Sequence, residues 1–209
     1  MRNNSFATKG DAVIVTGAAG GIGSATVENL VKQGIFVIAV DKNGDALSKT
    51  CKSINPDGKL IEMITADLTS EEECQAICEQ VKSKSIRLKG LVNNAAVGAF
   101  NMSVESTSFA DWQRIIAINL TSLYLMAKYS IPLIRSAGGG AIVNISSIHA
   151  YATSTGVAPY ASAKGAVLTL TKTMALDLAP DIIRVVCIIP GATDTPMLRQ
   201  HAERAGKSL

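Results

Sequence analysis

Residues 12–23 read A-V-I-V-T-G-A-A-G-G-I-G. The first half is a short apolar run rich in β-branched residues, the pattern of a buried strand. The second half is a glycine-rich turn. A helical pattern follows it in Ile22, Ala25, Val27, Leu30 and Val31. A strand that runs through such a turn into a helix is the opening unit of a nucleotide-binding sheet. Glycines let the backbone turn tightly and bring N–H groups close to a phosphate, and the helix N-terminus adds favourable partial charge. The spacing here is G-x-x-x-G-x-G, carried by Gly17, Gly21 and Gly23, and differs from the G-x-G-x-x-G fingerprint.

The same alternation continues outward from this unit. Apolar runs at 35–40, 59–65, 88–93, 141–146 and 183–189 read as strands. Helical patterns lie between them, at 43–54, 70–84, 111–135 and 159–178. Gly138, Gly139 and Gly140 close the helix over 111–135, and Pro159 is tolerated in the first turn of the helix it opens. Most of the strands are near-continuous apolar runs, which implies a parallel sheet covered on both faces. Right-handed crossovers then give a doubly wound α/β fold of Rossmann type with six strands. No repeat, linker or low-complexity tract divides residues 1–209, so one dinucleotide-binding domain is expected to carry the catalytic groups as well.

Composition narrows the function classes. Apolar residues make up 47% of the chain and charged residues 18%, which fits a well-buried globule and excludes a disordered chain. No apolar run reaches the length of a membrane span, and the start M-R-N-N-S-F-A-T-K-G-D carries no signal-peptide-type stretch. The net charge of +3 is scattered, which argues against nucleic-acid binding. Cys51, Cys74, Cys78 and Cys187 have only His149 and His201 as further soft ligands, both far along the chain, so no metal site is expected. Reduced thiols in a cytoplasmic protein are the expected reading.

Chemistry-bearing residues sit at strand ends. Asp41 ends the second apolar run, where a carboxylate can accept from a ribose hydroxyl and repels a 2′-phosphate, favouring NAD over NADP. Lys42 beside it offers a partial offset. Asp67, in A-D-L-T, reads equally as an adenine contact or a helix N-cap. Asn93 and Asn94 leave the fourth strand and are placed to brace the glycine turn. Farther on, Tyr160 and Lys164 are four apart and share a helix face. A cation about 5 Å from a phenol, at an effective dielectric near 20, favours the phenolate by about 3 kcal/mol, or about two pKa units. That is enough to prepare a tyrosine for general acid/base work. Ser147, on the strand side of the same segment, is placed to hydrogen-bond a substrate oxygen.

Together these features resemble the NAD(P)-dependent short-chain dehydrogenase/reductase family from Thr16 to Met197. The motifs T-G-A-A-G-G-I-G, Asp41, A-D-L, N-N-A, Asn119, Ser147, Y-A-S-A-K and P-G-A-T-D-T occur in that order. The resemblance implies a catalytic set of Asn119, Ser147, Tyr160 and Lys164. Tyr160 would be the acid/base, Ser147 the holder of the substrate oxygen, and Lys164 the group that lowers the Tyr160 pKa and binds the nicotinamide ribose. Asn119 would kink its helix and hold a relay water. The spacing of 13 to Tyr160 selects Ser147 over Ser146. For the cofactor, it implies contacts from Gly17, Gly21, Ile22 and Gly23 at the turn and from Asp41, Asp67, Leu68 and Asn94 at the strand ends. Pro190, Gly191 and Thr195 would hold the carboxamide end of nicotinamide, and Tyr160 and Lys164 also touch the cofactor. The implied reaction is reversible hydride transfer between NAD and a secondary alcohol or ketone, in a homo-oligomer. The competing readings are a non-catalytic dinucleotide-binding protein and a 3-oxoacyl thioester reductase using NADPH.

Three places depart from the family pattern. Ala96 stands where a glycine is usual in N-N-A-G, and Thr193 replaces a branched apolar residue. The sequence stops at Leu209, inside what resembles the substrate-covering segment, before a usual seventh strand. The sixth strand would then be an apolar edge that invites association, with lower stability or activity than a longer form. His149, Tyr151, Thr153 and Ser154 follow Ser147 and are expected in the substrate pocket, which leans towards a polar alcohol such as a sugar or polyol.

Overall fold

The computed structural model describes Ala7 and residues 10–204. The run that opens the chain is strand β1 (Ala12–Thr16), buried at every position. It can be buried throughout because it lies in the middle of the sheet with a helical layer on each face. Its neighbours are β2 (Phe36–Asp41) and β4 (Leu88–Asn93). With β3 (Ile61–Thr65), β5 (Gly140–Ile145) and β6 (Ile183–Ile188) the order is β3-β2-β1-β4-β5-β6, and every pairing is parallel.

Alternate side chains of each central strand feed two separate cores. Val13 and Val15 pack with Val37 and Ala39 against Val27 and Leu30 of α1 (Gly21–Lys32) and Leu47 of α2 (Gly44–Ile54). Ile14, Ile38, Leu91 and Ile142 pack on the other face. There they meet Ile77 of α3 (Glu71–Ser83), Met126 and Ile134 of α5 (Ser122–Ser136) and Met174 of α6 (Ala158–Leu178). Of the two edge strands, β6 differs from the continuous run expected of it. Both β3 and β6 alternate buried with more exposed positions, and Val186 and Ile188 of β6 are about half exposed. Among the described residues each has a neighbour on one side only, which accounts for the alternation.

The helix expected over 111–135 is broken. It consists of α4 (Phe109–Ile116), a π-helical turn at Ala117–Thr121, and α5. The cause is Asn119, whose buried amide enters the hydrogen-bond ladder. Its Nδ2 donates to the Ile115 carbonyl at 3.0 Å and the Val97 carbonyl at 3.1 Å, while Oδ1 accepts from the Val97 N–H at 3.2 Å. One side chain thus widens a helical turn and ties the loop after β4 to it. Asp67 does not cap α3. Ser70 does, accepting from the Glu73 N–H at 3.2 Å. A further helix, α7 (Pro196–Arg204), follows β6. No helix among the described residues is long and apolar enough to cross a membrane.

The chain winds outward one way through β3, then crosses back to place β4 on the other side of β1. At such a reversal the connections leave the carboxyl ends in opposite directions, and a crevice opens between them. Most of the candidate residues line that crevice or lie on the strand ends beside it.

Candidate active site

The crevice is a cavity of about 470 Å³. Gly17, Gly20, Gly21, Ile22 and Asp41 line one end, and Ser147, Tyr160, Lys164, Pro190, Gly191 and Thr195 line the other. Sequence positions more than a hundred residues apart therefore face one space.

The glycine turn is built for close approach. Gly17 has φ +64°, and a Cβ there would lie 2.8 Å from Ala95 Cα. At Gly23 a Cβ would lie 2.0 Å from the Gly17 carbonyl oxygen, so the start of α1 packs directly on the turn. A Cβ on Gly21 would strike the Thr195 side chain at 2.7 Å. The first turn of α1 carries no acidic residue, so its leading N–H groups face the crevice with no carboxylate to compete for them. Asn94 braces the turn from below. Its Nδ2 donates to the carbonyls of Thr16 at 3.0 Å and Gly17 at 3.1 Å. Asn93 does not share this work: its Nδ2 donates to Asn144 Oδ1 at 3.0 Å inside the sheet.

Asp41 is tied to the same turn. Its Oδ2 accepts from the Ala19 N–H and its Oδ1 from the Asn43 N–H, both at 3.0 Å. Each oxygen keeps a second lone pair for a ligand hydroxyl. Lys42 does not lean towards it but pairs with Asp67 Oδ2 at 2.5 Å. That ammonium and Thr69 hold the Asp67 carboxyl near 2, well below the usual carboxylate range. Asp67 and Leu68 lie outside the cavity lining, and the Leu68 side chain is in the core. The glycine cradle, the free N–H groups and a carboxylate at the strand end suit a pyrophosphate and a ribose diol.

At the other end, α6 presents Tyr160 and Lys164 on one face. The Lys164 ammonium lies 5.7 Å from the Tyr160 ring centre. It is only 2% exposed and donates to the Ile145 carbonyl at 2.9 Å. Burial pushes its pKa down to about 8, opposed by Cys187. The Tyr160 phenol departs from expectation. Burial raises its pKa, the Ser147 hydroxyl pulls the other way, and Lys164 does not reverse the outcome. Desolvation of the phenolate outweighs the Ser147 hydrogen bond. Both Ser146 and Ser147 line the cavity, and the Ser146 hydroxyl donates to the Lys164 carbonyl at 2.7 Å, locking α6 to the end of β5. Asn119 is not among the cavity-lining residues, because its amide is committed to Val97 and Ile115.

The pocket beyond Tyr160 is only partly the one expected. His149 and Ser154 line it, but Tyr151 is largely exposed and neither it nor Thr153 faces the cavity. Most of the wall is apolar: Ala96, Ala99, Phe100, Ile148, Val157, Met197 and Leu198. Sequence reasoning missed these. The loop from Ala95 onwards comes into the site because Met102 bridges in parallel to Val157 at the start of α6, a pairing without a local sequence signature. Among the described residues no group of three His, Cys, Asp or Glu side chains could hold a metal ion.

A doubly wound parallel sheet with a glycine cradle at its switch point is the fold of a nucleotide-binding oxidoreductase. The profile of the short chain dehydrogenase family matches residues 11–206, and the chain belongs to that family. It is an oxidoreductase acting on CH–OH groups. It is 36% identical to a cyclopentanol dehydrogenase of Comamonas sp. (strain NCIMB 9872) over 188 residues, 90% of this chain and 75% of that protein. The aldohexose dehydrogenase of Thermoplasma acidophilum, solved in ligand-free form, superposes with a TM-score of 0.84 at 33% identity, covering 96% of this chain and 74% of that one. The 3-ketoacyl-(acyl-carrier-protein) reductase of Brucella melitensis, solved with NADH, gives a TM-score of 0.86 at 29% identity, over 96% and 86% of the two chains.

Proposed function

We propose that this single domain oxidises a compact secondary alcohol to its ketone, reversibly, with NAD as the hydride acceptor and Tyr160 as the acid/base. The observation that carries the reading is the convergence of Ser147, Tyr160 and Lys164 on the cavity that also holds the glycine cradle. The cofactor, when bound in its oxidised form, would supply the hydride acceptor and a positive charge near the phenol. The protein's own groups do the rest. Ser147 holds the alcohol oxygen and stabilises the partial charge that grows on it. Tyr160 takes the hydroxyl proton. Lys164, whose charge is poorly solvated, favours the phenolate and holds the nicotinamide ribose. Asn119 acts at one remove, by fixing the π-helical turn and the Val97 segment beside the pocket. The mostly apolar wall suits a small ring alcohol, the substrate type named for the Comamonas relative.

Formation of NADH from NAD with a panel of five- and six-membered cyclic alcohols tests this. Binding of NADH without turnover of any secondary alcohol or ketone would refute it.

The preference for NAD over NADP is supported by Asp41, a carboxylate in the cavity lining at the end of β2 that would repel a 2′-phosphate, and by Lys42, which pairs with Asp67. Gly17, Gly21, Ile22 and Gly23 would take the pyrophosphate, Asp67 and Leu68 the adenine side, and Pro190, Gly191 and Thr195 the carboxamide. Asp41→Asn should weaken NADH binding and strengthen NADPH binding, shifting the ratio of their dissociation constants by about tenfold or more. Fluorescence titration of the reduced cofactors reads this directly, and an unchanged ratio would remove Asp41 from the selectivity assignment.

A cytoplasmic homo-oligomer is the setting we infer. Cys51, Cys74 and Cys78 are free and buried, as in a reducing compartment. Phe109, Trp112 and Tyr124 on α4 and α5, with Leu176 on α6, leave large apolar side chains exposed on the three helices that would pair with a second copy. Sedimentation as a monomer would contradict the assembly.

A further inference from the structure

His149 is the one imidazole in the pocket wall, and the hydride-transfer chemistry has no use for it. Its backbone N–H donates to Ser147 Oγ at 3.3 Å, which fixes the residue against the reacting centre. Its ring stands edge to face with Tyr160, centres 5.8 Å apart and planes at 82°. One ring nitrogen is engaged: Nδ1 lies 3.2 Å from Thr153 Oγ1. The Thr153 hydroxyl proton has its own acceptor, the Ser154 carbonyl at 3.5 Å. Taking the threonine oxygen as the acceptor for Nδ1–H assigns the tautomer with a bare Nε2. Among the described residues Nε2 makes no hydrogen bond to the protein. The opposite wall, around Ala99 and Phe100, is apolar.

A lone pair on one side of an otherwise apolar pocket, next to the group that deprotonates the alcohol, asks for a second hydroxyl on the substrate. We propose that His149 is a specificity-determining residue that accepts a hydrogen bond, through Nε2, from a hydroxyl on the carbon adjacent to the carbinol carbon. The preferred substrates are then vicinal diols on a small ring, with the ring body against Phe100 and the hydroxyl edge against Ser147, Tyr160 and His149. Thr153 is a positioning residue that acts through the tautomer. A cycloalkanol lacking the second hydroxyl leaves Nε2 desolvated without a partner, which is where the discrimination comes from.

The inference rests on hydride transfer at Ser147 and Tyr160, and the experiment separates the two. Values of kcat/KM with NAD are compared for cyclopentanol and cyclohexanol and for their cis and trans vicinal diols. In the wild-type protein at least one diol should exceed its parent alcohol by about tenfold or more. His149→Phe keeps an aromatic ring against Tyr160 but removes the nitrogens, and should bring that ratio close to one. Thr153→Val should lower it part of the way. A wild-type ratio near one, or a ratio unaltered in His149→Phe, overturns the role of His149 and leaves the dehydrogenase reading standing. Oxidation of none of these compounds overturns both.

Discussion

Tyr160→Phe should lower kcat by about 10²-fold to 10⁴-fold, the range over which a positioned general acid/base acts. The substitution removes one oxygen and keeps the ring that packs beside His149, so the fold and the pocket wall persist. NADH affinity should change far less than kcat, because the pyrophosphate and the adenosine half bind at the glycine cradle and Asp41, away from the phenol. Titration of NADH fluorescence and steady-state turnover on the same preparation separate the two effects. Turnover at the wild-type rate would end the assignment of Tyr160, and parallel loss of cofactor binding would make its role one of architecture. The free site sharpens the test. Burial raises the Tyr160 pKa, so the phenolate is not stored there in advance. What lowers the barrier must come from groups assembled with the cofactor and substrate, and the acidic limb of kcat should lie below that of kcat/KM.

Much of this was legible in the chain, and the parts that were not share a cause. The central strands were readable because they are buried on both faces and carry largely apolar runs, unbroken in β1 and interrupted by Lys89 in β4 and Asn144 in β5. The edges β3 and β6 were less so, since half of each faces outward. The glycine turn was readable because backbone packing leaves no room at Gly23 for a side chain, which restricts the residue type itself. That Tyr160 and Lys164 share a helix face follows from helical periodicity, but the role read for them came from the motifs along the rest of the chain. The break at Ala117–Thr121 had no signal in the periodicity and was implied only by the family resemblance at Asn119, because it comes from Asn119 bonding to Val97, 22 residues earlier in sequence. The pocket wall was hidden for the same reason: Phe100 and Val157 line one cavity because Met102 bridges to Val157, a pairing that no local pattern encodes. Asp67 was ambiguous between cap and ligand until Ser70 was seen to hold the cap. Tertiary contacts between loops have no period, and periodicity was the signal being read.

Lys164→Met should make the protein more stable near pH 7 while lowering turnover by about 10²-fold or more. An unfolded lysine titrates near 10.5, and burial brings Lys164 down to about 8 in the folded chain. Below pH 8 both states hold the proton, and the folded state bears the full cost of an enclosed ammonium, about 3 kcal/mol for a shift of this size. Between 8 and 10.5 the unfolded chain binds more protons than the folded one, so this cost fades as pH rises. Methionine has similar length and no charge, so it removes the penalty. It also takes away the bond to the Ile145 carbonyl, at a loss of about 1–3 kcal/mol if that oxygen is left unpaired. The balance near pH 7 is a gain of about 1 kcal/mol, or about 2–4 °C in Tm for a domain of this size. Above about pH 10 only the lost hydrogen bond remains, and the variant should melt below the wild type. Thermal denaturation across this pH range tests the crossing. A variant less stable at every pH would show that the buried ammonium is not a burden on the fold. If the curves cross, the chain keeps a charge that weakens it because the chemistry beside Tyr160 requires it.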